Sequence, residues 1–441
     1  MILLHTSEFI PHIFLERLFD TTEHPFYNSH MIHTVQPTAI DKLQILGEQM
    51  MLEPGEENSA AHNPNAPAPC GHSPAELARI YGSEREMVSV SQNKKNALGI
   101  HHAALPNGKT MPMLKTMLTS ACERDCHYCP FRARRNFRRA TFKPEEMASV
   151  FMAIHQKGDA DGLFLSSGIA GGGVKTQDRL IDTAEILRQK HGYRGYLHLK
   201  MMPGTEREQV LRAMQLSDRV SLNLEAPNAK RLQHLAPHKI FWEELLRPLK
   251  WAAEIRRTLP PPQGRNRWPS FVTQFVVGAA GESDVEILSL TGELTKLGLQ
   301  RAYFSAFSPV KDTPLENQAA ENPWREHRLY QASFLLRDYG FEFEDLPFSH
   351  AGHLPLDADP KLGWARLNLA DSPVNINTAD RHALLRIPGF GPRGVEAILR
   401  ARTTTVLRDL RQLQKLGVNT SRAVPFVLLN GQRPAQQLAL L

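Results

Sequence analysis

Three scarcities narrow this 441-residue chain before any motif is read. Cysteine is scarce: four residues, too few for a disulfide-built scaffold and in keeping with a reducing compartment. Long hydrophobic runs are missing; no stretch approaches the roughly 18 apolar residues that span a bilayer. The N-terminal MILLHTSEFIPHIFLERLF carries Glu8 and Glu16 and no basic segment ahead of an apolar run, so it makes a poor secretion signal. These points predict a cytoplasmic protein with no membrane partner; Met31 is an alternative start. Excess charge is also small, with 52 Lys+Arg against 46 Asp+Glu and a net +6. At 41% hydrophobic and 22% charged residues the composition is that of an ordinary globular protein. A core much beyond about 250–300 residues normally splits, so one large domain with smaller pieces is expected.

The pattern along the chain supports that division. Residues 1–85 read as an N-terminal extension, with a flexible Pro/Asn-rich segment at 54–74 between helical stretches at 41–51 and 75–85. From 86 to 354 apolar runs of strand length alternate with amphipathic helices. Strands fit at 113–119, 161–166, 195–201, 219–225, 271–277 and 301–307, and helices at 143–157, 176–191, 205–215, 241–257 and 284–297. Repeated strand–helix alternation implies parallel strands with helical crossovers, an α/β fold. Six units suit a partial (β/α)6 relative of the eight-fold TIM barrel, where chemistry collects at the C-terminal strand ends. Ser221, Asn223 and Glu225 fall on one strand face, and Tyr196, His198 and Lys200 on one face of another. Such polar inner faces predict a lumen that holds a polar ligand; wet edge strands are the alternative. Residues 355–373 read as a connector and 374–441 as a small all-α module.

Three of the four cysteines fall within eight residues. Cys122, Cys126 and Cys129 stand at CxxxCxxC spacing directly after the first predicted strand. Thiolates are the usual ligands of iron–sulfur clusters, and three of them on a four-iron cluster leave one iron open to a substrate or cofactor. Structural zinc is the alternative, but it asks for a fourth ligand, and His127 between two cysteines is badly placed to supply one. Cys70 stands alone and reads as a free thiol.

This segment, with Tyr128 at the aromatic position before Cys129, resembles the radical S-adenosylmethionine (SAM) superfamily. The resemblance implies a 4Fe-4S cluster that chelates SAM, cleaves it on reduction and yields a 5′-deoxyadenosyl radical that takes hydrogen from the substrate. The hard chemistry then belongs to the cofactors. It also implies SAM contacts at Ser166, Ser167 and Gly168, where the family often has Gly-Gly-Glu, at Asn223 and Glu225 for the ribose, and at Gly278 and Glu282 in the turn near adenine. Beyond the cluster ligands no catalytic residue is assigned; Tyr303, Ser305, His198 and Lys200 are lumen candidates.

Two basic regions carry further expectations. Five arginines lie between Arg132 and Arg139; they suit a phosphate contact, an acidic electron donor or the SAM carboxylate, with a solvated loop as the alternative. The last 68 residues hold ten bases and three acids, so they carry +7 and the preceding 373 residues −1. Within them Ile387-Pro388-Gly389-Phe390-Gly391-Pro392 joins two short apolar-faced helices, the first capped from Asn377 or Thr378. This resembles a helix–hairpin–helix motif, with a degenerate second copy through Leu416-Gly417-Val418. The resemblance implies nucleic-acid backbone binding at Arg386, Gly389, Gly391, Arg393 and Gly394.

A radical SAM barrel with such a C-terminal module resembles the DNA modification/repair radical SAM proteins. The matching segments are Ala121–Cys126 with Cys129–Arg132, Thr273–Phe275 with Gly281–Asp284, Tyr303–Pro309 and Leu356–Leu362. It implies radical chemistry on DNA or RNA, an electron donor such as a flavodoxin or ferredoxin, and a partner related to uracil-DNA glycosylases. Radical tRNA or rRNA modification is the alternative within enzymes; a non-catalytic iron–sulfur nucleic-acid-binding protein is the alternative outside them.

Overall fold

The structure is a computed structural model that describes residues 37–50, 98–104 and 110–434. The expectations for the first thirty residues, for 54–74 with Cys70 and for the helix at 75–85 lie outside the described residues.

Seven strands form one sheet in sequential order: β1 (Ile100–Ala104), β2 (Thr110–Met117), β3 (Gly162–Ser166), β4 (Tyr196–Lys200), β5 (Arg219–Ser221), β6 (Ser270–Val277) and β7 (Arg301–Ala306). Strands β2 to β7 are all parallel, as the alternation predicts, and β1 adds an antiparallel edge that periodicity missed. The six-strand parallel run curls into a partial barrel that stays open, because β1 and β7 do not pair. The five expected crossover helices are present at Pro144–Gln156, Gly173–Glu185, Arg207–Leu216, Arg247–Thr258 and Asp284–Lys296. Two carry a π-helical turn, Ile186–Lys190 after the second and Phe241–Leu246 before the fourth. Their apolar faces pack on the outer strand residues Leu114, Leu163, Leu165, Leu197, Leu199, Val220 and Phe271, all fully buried.

Regular pairing of β5 stops at Ser221, four residues before the predicted end. Glu225 returns to the sheet in a single bridge to Phe275 and sits in the left-handed region at φ 66°. That turn aims the strand end inward. Helices at Ala229–Leu235 and Pro323–Asp338 were not foreseen.

The C-terminal part has its own core, built on Ile376, Leu384, Ile387, Phe390, Val395, Ile398, Leu413 and Phe426. Two departures from expectation matter. The predicted connector contains a helix, Pro360–Asn368, whose Ala365 joins that core together with the following Leu369. The module is also not all-α, because β8 (Val374–Asn375) pairs in parallel with β9 (Val427–Leu428). Its first two helices are Arg381–Arg386 and Pro392–Ala401. Asp380 caps the first, while Asn377 instead bonds Leu407 through both amide positions.

Candidate active site in the barrel

The cysteine loop leaves β2 and crosses the C-terminal mouth of the barrel. It is held by short backbone bonds: Glu123 N–H donates to Ile169 at 2.8 Å, His127 to Leu235 at 2.7 Å and Gly168 to Thr119 at 2.7 Å. A Cβ on Gly168 would collide with the Ala121 carbonyl oxygen, so a glycine is needed where the β3 loop passes under the cysteine loop. Arg124 bridges to Glu244 at 2.5 Å and to the His238 carbonyl, and Asp125 pairs with His238 at 2.7 Å.

This anchoring brings Cys122, Cys126 and Cys129 to one cavity of about 460 Å³, within the range of small-ligand sites. Tyr128, Ser166, Ser167, Gly168, Asn223 and Glu225 line the same cavity. None of the three thiols is in a disulfide. The Sγ atoms of Cys122 and Cys129 accept from the Ile169 and Phe131 amides at 3.5 and 3.4 Å. Burial pushes the Cys126 and Cys129 thiols up, and burial and the Glu225 charge push the Tyr128 phenol up.

Lys239, which the sequence gives no sign of, is a buried cation of this site. Its ammonium donates to Glu225 Oε1 at 3.1 Å, and both side chains are nearly buried. Burial alone would lower its pKa, but the Cys126 and Glu225 charges outweigh burial and raise it. No spacing ties Ala236-Pro237-His238-Lys239 to the cysteines; the loop after Ala229–Leu235 delivers it.

Gly278 and Glu282 are not brought to the cavity. Glu282 accepts from the Gly278 and Ala280 amides at 2.5 and 3.2 Å and its backbone carbonyl accepts from Arg325, so its carboxylate closes the turn. Ser283 then caps the helix Asp284–Lys296. The segment that looked like a cofactor turn is a helix start. The arginine loop is a second correction. Arg139 donates to the carbonyls of Ser120, Phe131, Arg132 and Arg135, Arg132 to those of Cys126 and Asp125, and Arg135 to those of Pro130 and Lys311. Phe137 packs against the Arg139 guanidinium at 4.1 Å. These three staple the loop, and Arg134 and Arg138 remain exposed.

A second, larger cavity of about 820 Å³ fills the barrel lumen below the first. The two share Lys200, Asn223, Gln274 and Ser305 among their lining residues, so the lumen and the cysteine cavity are neighbours along the barrel. His198, Tyr196, Ser221 and Tyr303 line the lower part, in agreement with the polar inner faces read from the sequence.

The five residues expected to meet nucleic acid divide. Arg386 is buried, pairs with Asp345 at 2.7 Å and stacks between Phe341 and Trp364. Gly389, at φ 86°, and Gly394 admit Asn419 and Val418 of the following hairpin, where a Cβ would clash. Those three serve packing. Gly391 starts the helix Pro392–Ala401, and Arg393 is exposed in its first turn.

Residues 116–290 match the model of the Radical SAM superfamily. The chain carries a radical SAM domain. The family uses a 4Fe-4S cluster and S-adenosylmethionine, and these are the domain's cofactors. No curated protein sequence matches the chain. Among solved structures it is similar to methylornithine synthase (15% identity over 51% of this chain and 61% of that one, TM-score 0.41). It is also similar to the FeFe-hydrogenase maturase HydG from Carboxydothermus hydrogenoformans (16%, 51% and 51%, 0.41). A third is coproporphyrinogen III oxidase HemN from Escherichia coli (12%, 51% and 52%, 0.34). The chain spans about half to three fifths of the length of these proteins.

The residues present fit the two cofactors. Three thiols converge on one cavity, yet among the described residues no three His, Cys, Asp or Glu side chains converge closely enough to hold a single metal ion. Glu225 Oε2 is buried without a hydrogen-bond partner, an acceptor left over for a hydroxyl donor such as a ribose.

Proposed function

We propose that the protein is a radical SAM enzyme that takes a hydrogen atom from a nucleic acid, DNA in preference to RNA. The observation that carries the reading is adjacency: the cysteine cavity and the barrel lumen share Lys200, Asn223, Gln274 and Ser305 as lining residues. A substrate held in the lumen therefore lies next to the cofactors. When bound, the cluster and SAM supply the primary carbon radical that hydrogen abstraction needs. The chain supplies the rest. Cys122, Cys126 and Cys129 hold the cluster, and Lys239 offsets its negative charge from a buried position. Asn223 and the free oxygen of Glu225 hold the ribose, and Ser167 and the Gly168 backbone border the amino-acid end. Phe131 and Phe307, both buried, add apolar wall to the cavity.

The nucleic-acid assignment draws on the C-terminal module, read as a helix–hairpin–helix. Gly391 and Arg393 present backbone amides and one exposed cation at a helix start, which suits a phosphate. Contacts of this kind position a duplex without reading its sequence, so a base must be exposed or flipped to reach the lumen. An electron donor of the flavodoxin or ferredoxin type and a glycosylase-like partner belong to the same proposal.

Anaerobic reconstitution tests the enzyme reading. Four irons per chain and 5′-deoxyadenosine on reduction with SAM are expected, and Cys126→Ala abolishes both; an intact cluster without deoxyadenosine overturns the reading. For the module, Arg393→Glu weakens duplex binding across sequences and flattens its salt dependence by about one unit of slope. Unchanged binding removes the module from the account.

A further inference from the structure

In an eight-fold barrel side chains fill the interior and ligands gather at the C-terminal strand ends. This lumen also reaches the surface at the opposite end. Its lining takes in Gly195 just before β4, Asp218 just before β5, Trp268 just before β6 and Gln300 just before β7. Arg194, Arg267 and Gln300 line it and are exposed, so among the described residues the N-terminal end is a mouth.

The mouth is basic. Its lining holds Arg194, Arg256, Arg265 and Arg267 against a single acid, Asp218. Two of these arginines serve the scaffold. Arg265 pairs with Asp218 at 3.3 Å, which Arg188 also holds at 2.9 Å, and Arg256 donates to the Gly298 carbonyl at 3.0 Å. Arg194 and Arg267 make no hydrogen bond or ion pair among the described residues. Arg301, the first residue of β7, adds a third exposed guanidinium at this end, 6.0 Å from the ring centre of Phe334.

Both rim arginines stand on pinned backbone. Arg188 Nη1 donates to the carbonyls on either side of Arg194, those of Tyr193 at 2.9 Å and Gly195 at 2.8 Å. A Cβ at Gly195 would collide with the Tyr193 ring, so the chain passes closely there. Arg267 lies between Arg265, anchored on Asp218 and the Ser217 carbonyl, and Trp268, whose indole donates to the Leu259 carbonyl at 3.0 Å. The scaffold thus fixes two like charges at one opening, where a cleft of one sign draws in the opposite one. Just inside, Tyr196 and Trp268 line the wall.

We propose that a single strand of nucleic acid engages the barrel at this N-terminal mouth, its phosphates on Arg194 and Arg267 and one base turned inward past Tyr196 and Trp268. This rests on the nucleic-acid reading above and adds the entrance: the substrate comes from the end of the barrel opposite the cysteines. Cations that track a backbone, with aromatic side chains behind them, are the pattern that binds single strands with little regard to sequence. Arginine suits the phosphate contact because its forked donors match two oxygens at once. Arg301 continues the basic track to the helix Pro323–Asp338. Beyond the end of that helix the Gly340 carbonyl meets His382 and Arg386 of the C-terminal module at 3.1 and 3.2 Å. Mouth and module therefore lie along one helix, and a strand held by the module has the mouth within its path.

The test is fluorescence anisotropy of a labelled single-stranded oligonucleotide titrated with the full-length, reconstituted protein, without reductant, over a range of salt. The double variant Arg194→Ala/Arg267→Ala is expected to bind roughly tenfold more weakly at low salt and to lose about 0.7 of salt slope for each arginine removed. Arg194→Lys/Arg267→Lys keeps most of the slope, because the charge remains. A strand that carries 4-thiothymidine is expected to photo-cross-link to residues 194–196 and 265–268. A double alanine variant with the parent's affinity and slope overturns the proposal, and so do cross-links confined to the C-terminal module or to the cysteine loop. The two possible failures separate. If Arg393→Glu weakens binding and the rim variant does not, the strand engages elsewhere and only the entrance is lost. If the parent binds neither single strands nor duplexes, the nucleic-acid reading falls with it.

Discussion

Two groups of basic residues in this protein are opposites. The arginines of 132–139 are crowded in the sequence and spent in the structure. Arg132, Arg135 and Arg139 turn back on the loop and donate to eight backbone carbonyl contacts around the cysteines. Lys115, Lys200 and Arg219 are scattered over a hundred positions, on three strands, and the register gathers them around one lumen. The first group solves a folding problem, because a loop wrapped round a buried site leaves carbonyls without partners. In the second, Arg219 donates to side chains of the lumen wall, Ser270 Oγ at 3.1 Å and the Tyr303 hydroxyl at 3.2 Å. Clustering in sequence marked the scaffold, and clustering in space marks the candidate site.

The contrast can be broken by substitution. Arg139→Met strands the carbonyls of Ser120, Phe131 and Arg132 and is expected to destabilise the protein by roughly 2–4 kcal/mol in a denaturant titration. Arg139→Lys recovers little of it, since one ammonium cannot reproduce a forked donor. If Arg139→Met unfolds at the parent's midpoint, the loop arginines are not staples and their role moves to ligand binding.

A subtler effect lies in the C-terminal module. Lys361 donates to the Phe390 carbonyl at 2.5 Å and lies 4.5 Å from the Tyr339 ring centre. Burial, opposed by Asp359 and aided by Arg422, holds its pKa down to about 7 against 10.5 in the open chain. The unfolded chain then binds the extra proton between those values, so stability rises with pH from about 7 to about 10.5 and does not change with this group below about 7. Lys361→Met is expected to flatten that rise in midpoints measured at pH 7 and pH 9. An unchanged slope assigns it to another group.

The smallest effect belongs to Arg134 and Arg138, the two exposed members of the loop. Alanine at either position is expected to shift stability by less than about 0.5 kcal/mol and to leave nucleic-acid binding unchanged. A clear loss of nucleic-acid binding in either would undo the separation between loop and lumen.

How legible this was in the sequence depended on what each residue answers to. Strand–helix alternation located the six parallel strands and five crossover helices, because an apolar outer face against helices is a local, periodic demand. The cysteine spacing located the site, since ligands of one cluster from one loop must lie close in sequence. The inner faces of β4 and β5 showed in their alternation. The helix Pro323–Asp338 did not, because its first turns bury Arg325, Glu326 and Arg328, with Arg325 paired to Asp284 at 2.7 Å, ahead of the apolar Leu329, Ala332 and Leu335. Lys239 and the lumen cations were hidden because their neighbours are set by register and by a loop, neither of which leaves a short-range pattern. Gly389, Gly394, Arg386 and Glu282 misled in the opposite direction. Each is the right type for binding an anion or a cofactor, and each answers instead to a packing or turn requirement.

The central claim is that a nucleic-acid substrate gives up a hydrogen atom beside the cysteine cavity. Isotope transfer tests it most directly. The reconstituted protein is incubated anaerobically with SAM, a reductant and the tightest-binding strand in fully deuterated form, and the 5′-deoxyadenosine is weighed by mass spectrometry. The account predicts deuterium in the deoxyadenosine, lost in Cys126→Ala. Deoxyadenosine that forms in full yield without deuterium, while the deuterated ligand is bound, would contradict it.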